Sequence, residues 1–213
     1  MNRVWNNCFV ATAILFLAAA AAPAQTSTNR PANWAQPVAV AGIKNCYQVT
    51  TNLYRGAQPT AAGMAHLKAM GVKTVINLRY WHSDKDKVTG TGLKVVWIKM
   101  KPWHGDEEEV VQFLKVVTDT NNQPAFVHCT RGADRVGMMC AMYRITVCGW
   151  TKPEAIAEMK KGGFGYCWIW RSLVTFVKKA DIADIKRRAG LPGSSQGDWL
   201  LGPSMPTGSR WRT

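Results

Sequence analysis

Along its middle the chain alternates short β-branched runs with segments of helical period. Cys46–Thr50 reads as a strand and is followed at once by Leu53-Tyr54-Arg55-Gly56. Thr60 is placed to cap a helix that carries Met64, Leu67 and Met70 and stops at Gly71. Lys73–Leu78, centred on Val75-Ile76, reads as a buried strand. A polar loop, WHSDKDKVTGTG, leads to a further strand over Leu93–Met100. The acidic run 106–109 suits a helix N-terminus, and Val110, Phe113, Leu114 and Val117 keep helical spacing to about Thr120. Pro124–His128 is the next strand, and a helix from Asp134 to Cys148 follows its glycine-containing turn. Thr151-Lys152-Pro153-Glu154 opens another helix, and a last one spans Trp168 to Ala189. This βαβα order predicts an α/β fold, a central and mainly parallel sheet flanked by helices. Ligands of such sheets bind at the carboxyl ends of the strands, which here points to residues 128–135.

The ends read differently. Residues 1–24 have a single n-region charge, Arg3, an apolar stretch from Cys8 to Ala22, and an A-x-A site at Ala22-Pro23-Ala24. That is the pattern of a secretory signal peptide, and the run is shorter than the ~20 residues of a bilayer span. The expectation is an exported protein, periplasmic or secreted if the chain is bacterial, with no membrane span after cleavage. Residues 25–42 are polar and aperiodic and read as a linker, 43–189 as the folded domain, and 190–213 as a flexible tail rich in Gly and Pro.

Composition narrows the partners. The 213 residues carry 27 Lys+Arg against 13 Asp+Glu, a net charge of +14, with 47% hydrophobic residues. Disorder is excluded, and an anionic partner is implied. Arg3 and the tail account for little of the excess, leaving +12 on residues 25–189. Of the six Cys, Cys46, Cys129, Cys140, Cys148 and Cys167 follow the signal. Cys140 and Cys148 share one predicted helix, so their ~12 Å of rise forbids a disulfide, whose Cα atoms lie within ~7 Å. Cys46 with Cys167 stays open, as do reduced thiols. The basic run Lys178, Lys179, Lys186, Arg187, Arg188 reads as a solvated face near a helix C-terminus. Zinc-spaced Cys/His sets, a GxxxxGK[ST] loop and an RNA-binding aromatic signature are missing from the sequence, so neither nucleic acid nor a metal or other cofactor is called for.

The chemistry concentrates in HCTRGADRVG, residues 128–137. A Cys directly after a buried strand, five residues, an Arg and then a helix is an arrangement built for phosphate displacement. The N–H groups of residues 130–135 curl into a nest, and the helix adds its positive end. Thr130, Arg131, Gly132, Ala133 and Asp134 therefore form the substrate-binding loop. Cys129 attacks as thiolate, and Arg135 grips two phosphoryl oxygens. Gly132 lets the loop turn tightly, and His128 supports it through hydrogen bonds. Arg131 is free either to meet a second anionic group or to stay a loop charge. Arg55 suits a buried ion pair or a turn role better than a contact with substrate, and Trp103 and Tyr80 are candidates for the pocket wall.

This loop resembles the H-C-x5-R loop of the cysteine-dependent protein tyrosine and dual-specificity phosphatases. The resemblance extends to LYRGAQP (53–59), MGVKTVINLR (70–79) and YRITVCGWTKPEAIAEMKKGGFG (143–165), and is strongest to the atypical dual-specificity phosphatases of plants and fungi and their bacterial relatives. It implies Cys129 as nucleophile, Arg135 as phosphate clamp, a phosphocysteine intermediate without metal, and a fold with the loop between a central strand and a helix. It implies a phosphorylated protein or an inositol phosphate as substrate; the chain is expected to act as a monomer. Two departures stand out. Val136 replaces the Ser or Thr that usually follows the Arg, which implies slower hydrolysis of the phosphoenzyme and, at the limit, a phosphate-binding pseudophosphatase. The general acid is also not obvious: Asp106 sits in the right loop, with Glu107, His104 and Asp134 as alternatives. A rhodanese-like sulfurtransferase shares a Cys-centred loop but does not explain Arg135.

Overall fold

A six-stranded sheet in the order β1-β2-β3-β6-β4-β5 organises the computed structural model, which describes residues 30–193. The strands are β1 (Gln36–Pro37), β2 (Tyr47–Thr50), β3 (Leu53–Gly56), β4 (Thr74–Asn77), β5 (Lys94–Trp97) and β6 (Ala125–His128). From β3 to β5 all pairings are parallel, while β1 and β2 add an antiparallel edge. The mainly parallel α/β sheet expected from the sequence is the one observed.

Strand alternation builds two cores. Val75 and Phe126 face one side, where they join Met64 and Leu67 of helix α1 (Ala61–Ala69). Ile76 and Val127 face the other, beneath α3 (Glu107–Thr118), α4 (Asp134–Thr146), α5 (Lys152–Lys161), α6 (Arg171–Lys179) and α7 (Ile182–Ala189). All four residues of β4 and of β6 are buried, the polar Thr74, Asn77 and His128 included. The caps read from sequence are in place: Thr60 accepts from Gly63 N–H, and Thr151 and Glu154 form a capping box at the start of α5.

Four expectations need correction. The expected linker does not run to residue 42: β1 pairs with β2, Val38 N–H donates to Cys46 at 3.0 Å, and Ala35 is buried. Arg30 and Ala35 are tied to the end of α5 and to Glu158, so the folded domain begins well before residue 43. The strand expected over 93–100 ends at Trp97, because its partner β4 ends at Asn77, whose side chain turns the chain by bonding Arg79 N–H and His82 O. The polar loop 81–92 contains a one-turn helix, α2 (Lys85–Val88). The final helix is broken between α6 and α7, where Asp181 caps α7 through Asp184 N–H and Lys152 Nζ takes the carbonyls of Lys178 and Ala180. The expected signal peptide and most of the tail lie outside the described residues.

Candidate active site

The ladder sets the site. β6 lies between β3 and β4 with His128 opposite both Gly56 and Asn77, so all three strands end at one level. The residues immediately beyond them, Cys129, Ala57-Gln58 and Leu78-Arg79, are brought together there. Cys129 is 3% exposed and lies in a pocket of about 400 Å³ whose walls include Pro102, Cys167, Ile169 and Trp170. A larger groove, about 680 Å³, runs along the β1 edge, but no nucleophile beside a cation lines it.

The loop 129–135 turns into α4 with Ala133 as the N-cap position. Among the described residues, the amide N–H groups of Thr130, Arg131, Gly132, Ala133 and Asp134 find no protein acceptor. Those of Thr130, Arg131 and Gly132 belong to the loop and those of Ala133 and Asp134 to the helix start, where no side chain caps the helix. Gly132 has φ +71, and a Cβ there would lie 2.3 Å from Gly56 C and 2.5 Å from Ala57 N. Only glycine fits where the loop packs on the end of β3.

Arg55 holds the loop from beneath. It is 1% exposed, its Nη2 donates to Gly132 O at 2.8 Å and to Ala133 O at 3.3 Å, and its guanidinium stacks on Phe164 at 3.6 Å. No carboxylate pairs with it among the described residues, so a buried positive charge faces the anion loop from behind. Asn45 adds a bond to Arg131 O and Gln58 N–H one to Thr130 O.

Arg135 is fixed on one side by Leu78 O at 3.1 Å, directly past β4, and by Met100 O at 3.3 Å, three residues past β5. Its Nη2 reaches Thr130 Oγ1 at 3.4 Å, and no protein acceptor engages Nε among the described residues. The guanidinium is thereby oriented, with donors left for a ligand in the pocket. Arg131 pairs with Asp134 at 2.8 Å while its side chain stays 58% exposed at the rim. The other Asp134 oxygen accepts from Cys167 N–H at 2.8 Å. Both oxygens of Asp134 are thus committed to holding the pocket wall, which leaves it unsuited to delivering a proton.

Behind the loop, His128 Nε2 lies 2.7 Å from Asp84 Oδ2, both side chains fully buried. Gln58 Nε2 donates to Asp84 Oδ1 at 3.2 Å, and Gln58 Oε1 accepts from Arg79. Asp84 escaped the sequence reading because it sits in a charged stretch that looks solvated, and its partner is 44 positions away. Asn45, Gln58, Cys167, Ile169 and Trp170 escaped it too, with no local pattern to mark them.

The expected acid is placed otherwise. Asp106 is exposed, caps α3 by accepting from Glu108 N–H at 2.8 Å, and shares a capping box with Glu109. It does not line the Cys129 pocket; from its loop Pro102 does. Trp103 and His104 line a neighbouring cleft with Phe176 instead, and Glu107 with Glu108 pairs with Arg188. Part of the basic run therefore neutralises the acidic helix start rather than facing solvent. Val136 is fully buried in the core on the first turn of α4. Burial pushes the Cys46 and Cys140 thiols up to about 11, which keeps both protonated and inert.

Comparison with known proteins gives this geometry a setting. The family model described as DSP-PTPase phosphatase fused to NAD+ kinase matches residues 28–165. The dual specificity protein phosphatase TpbA of Pseudomonas aeruginosa strain UCBPP-PA14 is 35% identical over 167 residues, 76% of this chain and 74% of that protein. The crystal structure of a cysteine-to-serine variant of P. aeruginosa TpbA in complex with phosphotyrosine superposes with TM-score 0.68 at 31% identity, covering 76% of this chain and 98% of that one. Inositol diphosphatase DSP3 of Arabidopsis thaliana is 26% identical over 153 residues, 67% of this chain and 73% of that protein. The catalytic core of the S. cerevisiae phosphatase SIW14 shares the fold, with TM-score 0.62 at 22% identity over 76% of this chain and 98% of that one.

Proposed function

Because the chain belongs to the DSP-PTPase phosphatases, a family of cysteine-dependent hydrolases, we propose that Cys129 is its nucleophile and that phosphotyrosine-type monoesters are its substrates. One observation carries the reading: unpartnered loop amides, an oriented Arg135 and the Cys129 thiol converge on one pocket at a helix N-terminus. The phosphoryl group binds to the amides of 130–134 and to Arg135. The Cys129 thiolate attacks phosphorus; the S–P bond forms as the P–O bond to the leaving group breaks, and that oxygen takes up a proton. Water then cleaves the phosphocysteine and restores the thiol. Arg135 and the amides stabilise the charge on the equatorial oxygens in both steps. Asp106 is the proton donor in this proposal, which requires it to leave its cap and reach the pocket over Pro102.

The relatives named for phosphotyrosine binding and for dual specificity support a protein substrate. The inositol diphosphatase relative and the exposed Arg131 at the rim support inositol phosphates as the second reading. The apolar run 8–22 with its A-x-A site supports export, which predicts a mature chain beginning at Gln25 on N-terminal sequencing.

A substrate panel tests this. The mature chain should release phosphate from phosphotyrosine peptides, and Cys129→Ser should abolish release while retaining binding. Arg135→Lys should lower kcat by about 10²-fold or more. Preference for inositol polyphosphates over peptides would select the second reading; equal activity of the Cys129→Ser chain would sink both. Asp106→Asn should flatten the basic limb of the pH profile; an unchanged limb leaves Asp106 as a helix cap alone.

A further inference from the structure

The loop after β4 sends one carboxylate under the phosphate-binding loop. His128 has two ring partners, Asp84 Oδ2 at 2.7 Å on Nε2 and the Cys129 carbonyl oxygen at 3.3 Å on Nδ1. An ionised carboxylate and a carbonyl can only accept, so both ring nitrogens have to donate. That condition is met by the doubly protonated imidazolium and by neither neutral tautomer. The carboxylate side agrees. Burial alone pushes the Asp84 carboxyl up, but the hydrogen bond and charge of His128, with Gln58 and Lys87, outweigh it and hold the group below the ordinary carboxylate range.

The surroundings leave the pair little freedom. Gln58, from the segment after β3, holds the second Asp84 oxygen and is itself held by Arg79. The charged or titratable groups around the pair are Arg79 after β4 and Lys87 on α2, with Cys129 next along the chain. On β6, Phe126 stacks parallel to the imidazole with ring centres 6.1 Å apart and adds no charge.

We propose that Asp84 is a positioning residue of the reaction: it fixes His128 as an imidazolium against the Cys129 backbone, and that fixed cation keeps the nucleophile in its thiolate form. The proposal rests on Cys129 being the nucleophile. Asp84 touches neither substrate nor sulfur and acts through His128. Without its negative charge, a fully buried imidazolium beside Arg79 would be left uncompensated and would give up a proton.

Asp84→Asn tests this, because the amide keeps the size and an acceptor for Nε2 but removes the charge. The pH midpoint of Cys129 alkylation by iodoacetamide should rise by about one unit, a tenfold loss of thiolate at the same pH. The acid limb of kcat/KM should move with it, while kcat at high pH stays near the parent value. Asp86→Asn, on the exposed face of α2, should move neither. In the unaltered protein, nitrogen-15 NMR should find both His128 ring nitrogens protonated at neutral pH. A bare ring nitrogen in that spectrum, or an unshifted alkylation midpoint in Asp84→Asn, overturns the proposal. The spectrum needs no variant to fold. Retained turnover in Cys129→Ser would instead refute the nucleophile assignment, so the two failures are distinguishable.

Discussion

Gly132 is where a single atom decides the site. Its positive φ and its contact with the Gly56–Ala57 backbone leave no space for a methyl group. The left-handed conformation alone costs an alanine ~1–2 kcal/mol, before the clash with main chain is counted. Gly132→Ala is therefore expected to push the loop off β3, lowering phosphate affinity and kcat together by at least tenfold. Calorimetric titration with phosphate or vanadate, beside steady-state kinetics, measures both. Arg55 shows how a residue of known type can be misjudged in role. The expected burial is observed but the ion pair is not: its partners are two carbonyls of a loop nearly eighty residues on. Asp84 is the extreme case, a carboxylate in a charged stretch whose burial is compensated by His128 and Gln58.

Elements were legible where their signals are local. Thr60 and Thr151 mark helix starts, Val75-Ile76 and Ala125-Phe126-Val127 mark β4 and β6, and the glycine turn after His128 places the loop. The break before α7 also had a local signal, Asp181 three residues ahead of Asp184, which the continuous apolar spacing of 173–185 masked. The N-terminal strand β1 had none, since two residues in a proline-containing stretch become a strand only when β2 is there to pair with. The start of α3 carries a pH-dependent cost that belongs to this scale. Burial, with the charge of Asp106 beside it, raises the Glu109 carboxyl from 4.5 to about 7. A group raised in the folded state favours folding at low pH, and the contribution is lost as pH climbs from 4.5 through about 7. Urea midpoints are thus expected to fall across that window, and Glu109→Gln should flatten the fall while weakening the capping box. An unchanged slope in Glu109→Gln would assign the effect elsewhere.

At the scale of the molecule, the N-terminal segment, α4 and α5 are tied together by one buried carboxylate. Glu158 takes Arg144 through both oxygens at 2.9 Å and Ala35 N–H at 2.6 Å. Glu158→Ala leaves Arg144 buried without a counter-charge, a loss of about 3–5 kcal/mol, and should lower the urea midpoint accordingly. A chain begun at residue 43 forfeits the same anchor from the other side, together with the Arg30 bond to Gly162. Net charge acts more diffusely: +14 raises the encounter rate with polyanions and makes it sensitive to salt, whereas the pocket itself is addressed by Arg135 and the loop amides.

The burial of α4 has a consequence for motion. All of its residues but Ile145 are buried, and its first turn is the floor of the pocket. The walls are Pro102 with Cys167, Ile169 and Trp170, beside Trp168, which is 72% exposed. Amide hydrogen exchange should divide accordingly. Helix α4 is expected to exchange only through global unfolding, while the wall amides open locally and orders of magnitude faster. Exchange divided in this way would let a ligand enter and leave without loss of cooperativity, since the walls would open while α4 holds the fold.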